Sequence, residues 1–147
     1  MIDIHAHILW DVDDGPKNMN ETMQLLEQAV NEGITQIIAT SHCFHPQYHV
    51  DYETINNQLQ LLQNQLMKNN IPLTLHTGHE VRLSDNIIPL YKAKQIHTLA
   101  NSNYILLELP SHTVPYYSIN IIRELLTEGL VPIIVHPERN KAIAERP

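Results

Sequence analysis

Two histidines, His5 and His7, stand one residue apart almost at the start of the chain. They follow a short run in which Ile2 and Ile4 alternate with Asp3, a pattern that predicts a buried strand ending at His5. Side chains two residues apart on a strand point to the same side, so both imidazoles can approach one ion. A lone His-x-His pair also occurs in ordinary turns, so other ligand-type residues must decide between these interpretations.

Four further apolar runs predict strands, and each ends on a residue that can bind a metal. They are residues 36–41 before His42, 73–79 before Glu80, 104–107 before Glu108 and 131–135 before His136. Five successive strands of this kind are difficult to attribute to chance. Imidazole and carboxylate ligands mixed in this way suit Mn²⁺, Fe or Zn²⁺, whereas an all-oxygen set would indicate Mg²⁺.

Helical segments are predicted between these strands. Their predicted starts are Asn18, which forms a capping box with Glu21, then Asp51, Asp85, Ser118 and the segment after Pro137. Gly33 and Gly129 fit positions just past helix ends. In the helix from Ser118, residues Ile122, Leu125 and Leu126 are expected to face inward. Alternating strands and helices predict a parallel sheet, whose carboxyl edge is where such folds carry functional residues.

Length and composition predict one domain over residues 1–147, since 43% of the residues are hydrophobic and no linker or repeat interrupts the chain. A net charge of −7 with scattered Lys and Arg argues against a nucleic-acid surface. The single cysteine and the lack of a signal peptide or a long apolar stretch predict a cytoplasmic protein without membrane insertion. That cysteine, Cys43, follows His42; a small buried residue is the favoured interpretation, and a reactive thiol is the alternative.

Several segments together resemble one known family. They are residues 2–9, 12–16, 40–42, 78–82, 107–110 and 136–140, the last reading His-Pro-Glu-Arg-Asn. These motifs are similar to the PHP (polymerase and histidinol phosphatase) metallophosphoesterases. Within them the chain most resembles the bacterial manganese-dependent tyrosine phosphatases encoded with capsule and exopolysaccharide genes. The resemblance implies an α/β fold, a distorted (β/α)7 barrel of which this chain covers about the first five β/α units.

The resemblance also implies a site with up to three Mn²⁺ ions. His5 and His7 would bind the first ion and Glu80 would bridge to the second, which Glu108 and His136 complete. Asp14 and His42 would hold the third ion, so Asp14 joins Arg139, the implied phosphate-orienting residue, as a catalytic residue. Asp13 competes with Asp14, and spacing alone does not separate them.

The implied activity is hydrolysis of phosphotyrosine on the tail of a bacterial tyrosine kinase that regulates polysaccharide synthesis, through attack by metal-bound hydroxide. No Cys-x5-Arg loop is present, so a phosphocysteine intermediate is not expected. One alternative is a related metal-dependent hydrolase acting on a small phosphate monoester such as histidinol phosphate. The other is an inactive, truncated relic.

The chain departs from the family pattern after His136. The family's late Asp-x-His motif and two barrel strands have no counterpart there. We therefore expect a chain that lacks its C-terminal part, is weakly active or inactive, and self-associates through an unpaired edge and an uncovered interior.

Other polar residues receive structural or surface roles. His45 and His49 are expected to be surface or substrate-contacting loop residues, His79 to face away from the site and His76 to be a core histidine. His97 and His112 are expected in loops or solvent. For Arg82, a phosphate contact and a surface ion pair stay open.

Overall fold

A computed structural model describes residues 1–145 as five parallel strands alternating with helices. The strands are β1 (Ile2–Ala6), β2 (Gln36–Cys43), β3 (Thr74–Arg82), β4 (Tyr104–Glu108) and β5 (Val131–Ile134). The helices are α1 (Met19–Asn31), α2 (Tyr52–Lys68), α3 (Ile87–Lys92), α4 (Ser118–Thr127) and α5 (Lys141–Ala144), with 3₁₀ turns at Leu99–Asn101 and Pro137–Arg139.

The sheet follows the order of the sequence, β1-β2-β3-β4-β5, with every neighbouring pair parallel. It curls into a half-barrel with the helices on its outer face. The predicted α/β fold with a parallel sheet is therefore confirmed. Closure into a seven-unit barrel stays a prediction. No helix within residues 1–145 is long and apolar enough to cross a membrane.

The main helix ends follow the predicted signals. The Asn18 side chain accepts a hydrogen bond from the Glu21 backbone N–H at 3.0 Å, and Asp51 accepts one from the Thr54 N–H at 2.7 Å. Gly33 lies just past the end of α1 with φ +86°, a conformation that costs glycine little. These local signals were sufficient to place α1 and α2.

Two predictions about helices were wrong. Helix α3 begins at Ile87 rather than at Asp85, and no side chain caps its first turn. In α4 the buried stripe consists of Ser118, Ile121 and Leu125, whereas Ile122 is only half-buried and Leu126 is 54% exposed, because both lie outside this stripe.

Strand β1 was predicted to be buried, and this prediction was wrong. Ile2 is 55% exposed and Ile4 is 43% exposed, because β1 is an edge strand whose inner face borders open space.

The core lies mainly between the sheet and its helices. Alternate residues of each strand point outward into two apolar clusters. The first packs α1 and α2 against the sheet through residues such as Leu26, Ile37, Ile55 and Leu66. The second packs α3 and α4 through residues such as Val81, Ile87, Ile105 and Leu125. The remaining strand residues point to the inner face.

The inner face is divided into two regions along the strands. Near the amino ends lies an apolar cavity of about 470 Å³, the lower cavity, lined by residues that include Ile2, Ile4, Ile38, Leu99 and Ile133. Near the carboxyl ends lies a polar cavity of about 810 Å³, the site cavity, where the predicted ligands gather.

Candidate metal centre

The site cavity is built by strand residues that share a register. His42 on β2 lies directly beside Glu80 on β3, and Arg82 lies beside Glu108 on β4. Because parallel strands run in one direction, these inward side chains meet at a single edge of the sheet. The sequence prediction that ligand-type residues converge at the carboxyl edge is confirmed in its geometry.

Glu80 is the centre of the cluster and is fully buried. Its Oε2 lies 2.8 Å from His7 Nε2, 3.1 Å from His5 Nε2 and 3.5 Å from His42 Nδ1. Its Oε1 lies 2.9 Å from His136 Nε2. Burial by itself raises the pKa of this carboxyl, but the surrounding imidazoles outweigh it and hold the pKa well below its usual range. Glu80 is therefore an anion at neutral pH.

Asp13 and Asp14, which sequence spacing could not separate, have different surroundings. The Asp13 side chain is fully buried and accepts hydrogen bonds from the backbone N–H groups of Gly15 and His42, at 3.0 and 3.1 Å. It also lies 3.1 Å from His7 Nδ1. Asp14 is 56% exposed, lines the site cavity, and places Oδ1 3.2 Å from His7 Nδ1 and 3.5 Å from His42 Nε2. Asp14 thus faces the cavity, and Asp13 supports the residues that do.

The charges around His7 favour a cation. Burial alone lowers the pKa of His7, but the bonds to Asp13 and Glu80 outweigh it and raise the pKa to about 10. Two carboxylates that stabilise a proton at this position also stabilise a metal ion there. For His42, burial is the main cause and lowers the pKa, which favours the neutral imidazole that coordinates metals.

Arg82 forms an ion pair within the protein and does not line the site cavity. Its Nη1 donates to Glu108 Oε1 at 3.0 Å, and both side chains are mostly buried, at 16% and 11% exposure. Of the two alternatives for Arg82, a phosphate contact and a surface ion pair, this geometry favours the ion pair. The pair is mostly buried and does not lie on the surface. Because Oε1 is occupied by Arg82, the second oxygen of Glu108 stays available to the cluster.

Arg139 and His136 also line the site cavity, as predicted. His136 follows β5 with φ +29°, an unfavourable backbone conformation for a residue with a Cβ. This conformation turns the His136 ring toward Glu80. The centroid of the His136 ring lies 5.8 Å from that of the His5 ring.

The donor set fits divalent metal ions. Three overlapping groups each place three ligand atoms within 4.8 Å of one another: His5, His7 and Glu80; His7, Asp14 and His42; and His42, Glu80 and Glu108. Within residues 1–145, four buried side-chain polar atoms have no partner in hydrogen-bonding geometry: Ser41 Oγ and, in this cluster, Glu108 Oε2 and two nitrogens that lie near Glu80 Oε2 at unfavourable angles, His5 Nε2 and His42 Nδ1. Such atoms are costly to leave unpaired, and a metal ion would satisfy the three in the cluster.

The remaining histidines mostly occupy structural positions. His79 faces away from the site, as predicted: it is fully buried, pairs with the Val50 carbonyl at 3.1 Å, and burial lowers its pKa to about 4. His76 lies on the inner face beside Gln36, also as predicted. His97 lies in a loop, as predicted, and its ring stacks on that of Tyr52 with centroids 3.8 Å apart.

Cys43 is a buried structural residue, as the favoured interpretation predicted. Its side chain is fully buried in the second apolar cluster, and burial raises the pKa of its thiol to about 12. A thiol with this pKa has almost no thiolate at neutral pH, so it is not a nucleophile.

Spacing alone did not separate Asp13 from Asp14, because the direction of the loop decides which carboxylate faces the cavity; only the family resemblance favoured Asp14. Sequence patterns missed one contributor to this site. Tyr48 also lines the cavity, and its ring stacks on His42 with centroids 5.7 Å apart. No motif points to Tyr48, since it lies six residues past its partner in an irregular loop.

Comparison with known proteins identifies the family. A family model described as "Capsular polysaccharide synthesis, CpsB/CapC" matches residues 1–147. The chain belongs to the CpsB/CapC family. The resemblance seen in the sequence motifs is therefore confirmed at the level of the family.

Curated relatives extend this assignment. The chain is 47% identical to CapC of Staphylococcus aureus, covering 99% of this chain and 57% of that protein. It is 35% identical to the tyrosine-protein phosphatase YwqE of Bacillus subtilis, covering 100% of this chain and 58% of YwqE. It is 33% identical to the tyrosine-protein phosphatase CpsB of Streptococcus pneumoniae, covering 97% of this chain and 59% of CpsB. The chain thus spans somewhat more than half the length of these relatives.

A solved structure has the same fold. It comes from the crystal structures of YwqE from Bacillus subtilis and CpsB from Streptococcus pneumoniae, described as unique metal-dependent tyrosine phosphatases. The match has a TM-score of 0.94 at 35% identity and covers 99% of this chain and 59% of the solved one.

Proposed function

We propose that this chain provides a metal-dependent phosphatase centre that hydrolyses phosphotyrosine. One observation carries the proposal: a fully buried Glu80 anion surrounded by four imidazoles at the carboxyl edge of a parallel sheet, with unpaired polar atoms beside it. Buried charge is costly in a protein interior unless it is paired or coordinates a metal, and the unpaired polar atoms beside Glu80 favour a metal here.

The proposed ligands are the predicted ones. Glu80 would be shared between neighbouring ions, and the other residues that would hold them are His5, His7, Asp14, His42, Glu108 and His136. Nitrogen and oxygen donors together favour Mn²⁺, with Fe and Zn²⁺ as further candidates. When bound, such ions supply positive charge at the phosphoryl oxygens and lower the pKa of coordinated water.

The chain's own residues then position the substrate. The Arg139 guanidinium lines the site cavity and can meet two phosphate oxygens with its planar fork. Asp14, half-exposed at the mouth, is the ligand closest to solvent. Cys43 takes no part, because it is buried on the outer face of the sheet.

The substrate class follows from the relatives. YwqE and CpsB are named tyrosine-protein phosphatases, and the family model describes capsular polysaccharide synthesis. We therefore propose that the partner is the phosphotyrosine-bearing tail of a cytoplasmic bacterial tyrosine kinase that controls polysaccharide production.

The test compares three proteins purified without chelator: the unaltered chain, Glu80→Gln and the matched control Cys43→Ser. We expect Glu80→Gln to lose most bound manganese and all measurable phosphotyrosine hydrolysis, because the bridging charge is gone. Cys43→Ser should keep both. Manganese is measured by elemental analysis and phosphate release with a phosphotyrosine peptide. Equal metal content in all three proteins, or loss of turnover in Cys43→Ser with folding and metal intact, would contradict the proposal.

A further inference from the structure

We infer that Tyr48 and His45 form an aromatic wall that recognises the aryl group of the phosphate ester. This inference rests on the proposed function and concerns how an aryl ester is selected there. The two residues belong to the loop between β2 and α2, and both line the site cavity together with the ligand-type residues.

The wall is continuous with the cluster. The His45 ring lies 4.6 Å from that of His42, and the Tyr48 ring lies 5.6 Å from that of His45 at an angle of only 19°. Tyr48 and His42 are nearly parallel, at 11°. Tyr48 and His45 are half-buried, so part of each ring borders the open cavity. The rings therefore lead from the cluster toward the cavity mouth.

Hydrogen bonds hold the loop in this position. The Val50 N–H donates to the His42 carbonyl at 2.9 Å, which closes the loop at its base. Within the loop, the Tyr48 N–H donates to the His45 carbonyl, and the Gln47 N–H donates to His45 Nδ1, each at 3.2 Å. Because these bonds already order the loop, a ligand that binds against the two rings loses little free energy to loop ordering.

The binding of an aryl ester offers a role for a feature of this kind. Bound ions and Arg139 would contact the phosphoryl group, which is the same in every phosphate monoester. Tighter binding of an aryl ester than of an alkyl ester must therefore come from surfaces beyond the ester oxygen. Aromatic side chains provide such a surface, because offset stacking of rings adds to the gain from buried area.

The experiment measures binding, so that it does not depend on turnover. Phenylphosphonate and methylphosphonate share one headgroup and differ only in the aryl group. Calorimetric titration of the Mn²⁺-loaded chain should show phenylphosphonate binding at least about fivefold more tightly, the ratio expected for one aromatic contact. Tyr48→Leu should remove this preference and leave the affinities for Mn²⁺ and methylphosphonate unchanged. Tyr48→Phe should retain it.

Tyr104→Leu is the matched control, since Tyr104 is exposed at the opposite end of the strands, beside the lower cavity. It should behave as the unaltered chain. Equal affinities for the two phosphonates, no binding of either, or joint loss of Mn²⁺ and both phosphonates in Tyr48→Leu would overturn the inference. Hydrolysis of a phosphotyrosine peptide is measured separately. An intact phenylphosphonate preference without turnover supports the aromatic wall and counts against the proposed function alone.

Discussion

Asp13 shows how a residue behind the proposed ligands can influence the proposed metal site. Its buried carboxylate lies beside His7 Nδ1 and accepts the backbone N–H of His42. It therefore orients the ring of His7, just past β1, and helps to position the backbone of His42 on β2. Carboxylates that hold a metal-binding imidazole from behind commonly account for a factor of about 10 to 100 in metal affinity.

We expect Asp13→Asn to weaken Mn²⁺ binding at least about tenfold, because the amide removes charge and presents N–H groups to existing donors. Titration calorimetry with Mn²⁺ measures the effect, and circular dichroism checks folding. Asp85→Asn, at an exposed position away from the cluster, is the matched control and should bind as the unaltered chain does. Unchanged affinity in Asp13→Asn would show that His7 and His42 are positioned without it.

At the residue scale, the sequence was informative wherever a ligand is tied to a strand. Glu80, Glu108 and His42 alternate with outward apolar residues, so strand periodicity determines the side each one faces. Loop residues have no such periodicity. Asp13 and Asp14 are adjacent, and bonds from the Gly15 and His42 N–H groups hold Asp13 in the protein interior while Asp14 faces the cavity, which spacing does not encode.

Helix α2 has a second task besides covering the sheet. Its Gln58 side chain accepts from the Trp10 N–H at 3.2 Å and donates to the Trp10 carbonyl at 3.0 Å. This pair of bonds fastens the loop that follows β1, the same loop that carries Asp13 and Asp14. The bonds between Gln58 and Trp10 on the outer side of the sheet thus help to position Asp13 and Asp14 at the site cavity.

We predict that Gln58→Ala lowers the free energy of unfolding by about 1–2 kcal/mol, because two backbone groups lose their partner. The chain has one tryptophan, so Trp10 fluorescence during urea denaturation reports on this loop directly. Gln60→Ala, two residues along at an exposed position of the same helix, should change stability little. Because alanine has a higher helix propensity than glutamine, neither substitution should lose stability through propensity. A loss for Gln58→Ala no larger than that for Gln60→Ala would therefore show that the Trp10 bonds contribute nothing measurable.

At the element scale, local signals placed α1 and α2 but not the orientation of α4. Asn18 and Asp51 identify helix starts because the capping bond is made within one turn. Which face of α4 is buried depends on how it meets the sheet. Apolar residues occur on more than one face, so Ile121 was overlooked and Leu126 was wrongly placed inward.

The whole molecule exposes apolar surface on its inner side. Ile2 and Ile4 of edge strand β1 border the lower cavity and are about half exposed, and among the described strands β1 and β5 each pair on one side only. Free edges beside apolar surface favour association.

We therefore expect residues 1–147 to self-associate in solution, and a variant combining Ile2→Thr with Ile4→Thr to do so less. Light scattering coupled to size exclusion measures the mass over a range of concentrations. Leu61→Thr, at a site 52% exposed on the outer helix α2, is the control and should leave association unchanged. A monomer at all concentrations would show that the inner face is adequately solvated as it stands.

The cluster contains residues from His5, which lies on β1, to His136, which follows β5. Side chains from both edges of the sheet therefore meet around Glu80. Ions bound there would act as a cross-link between β1 and β5, and unfolding would have to break that cross-link before these strands separate. A ligand that binds only the folded chain stabilises it in proportion to the logarithm of its free concentration. The resistance of this protein to heat and urea would then follow the supply of manganese, and a chelator would act as a denaturant.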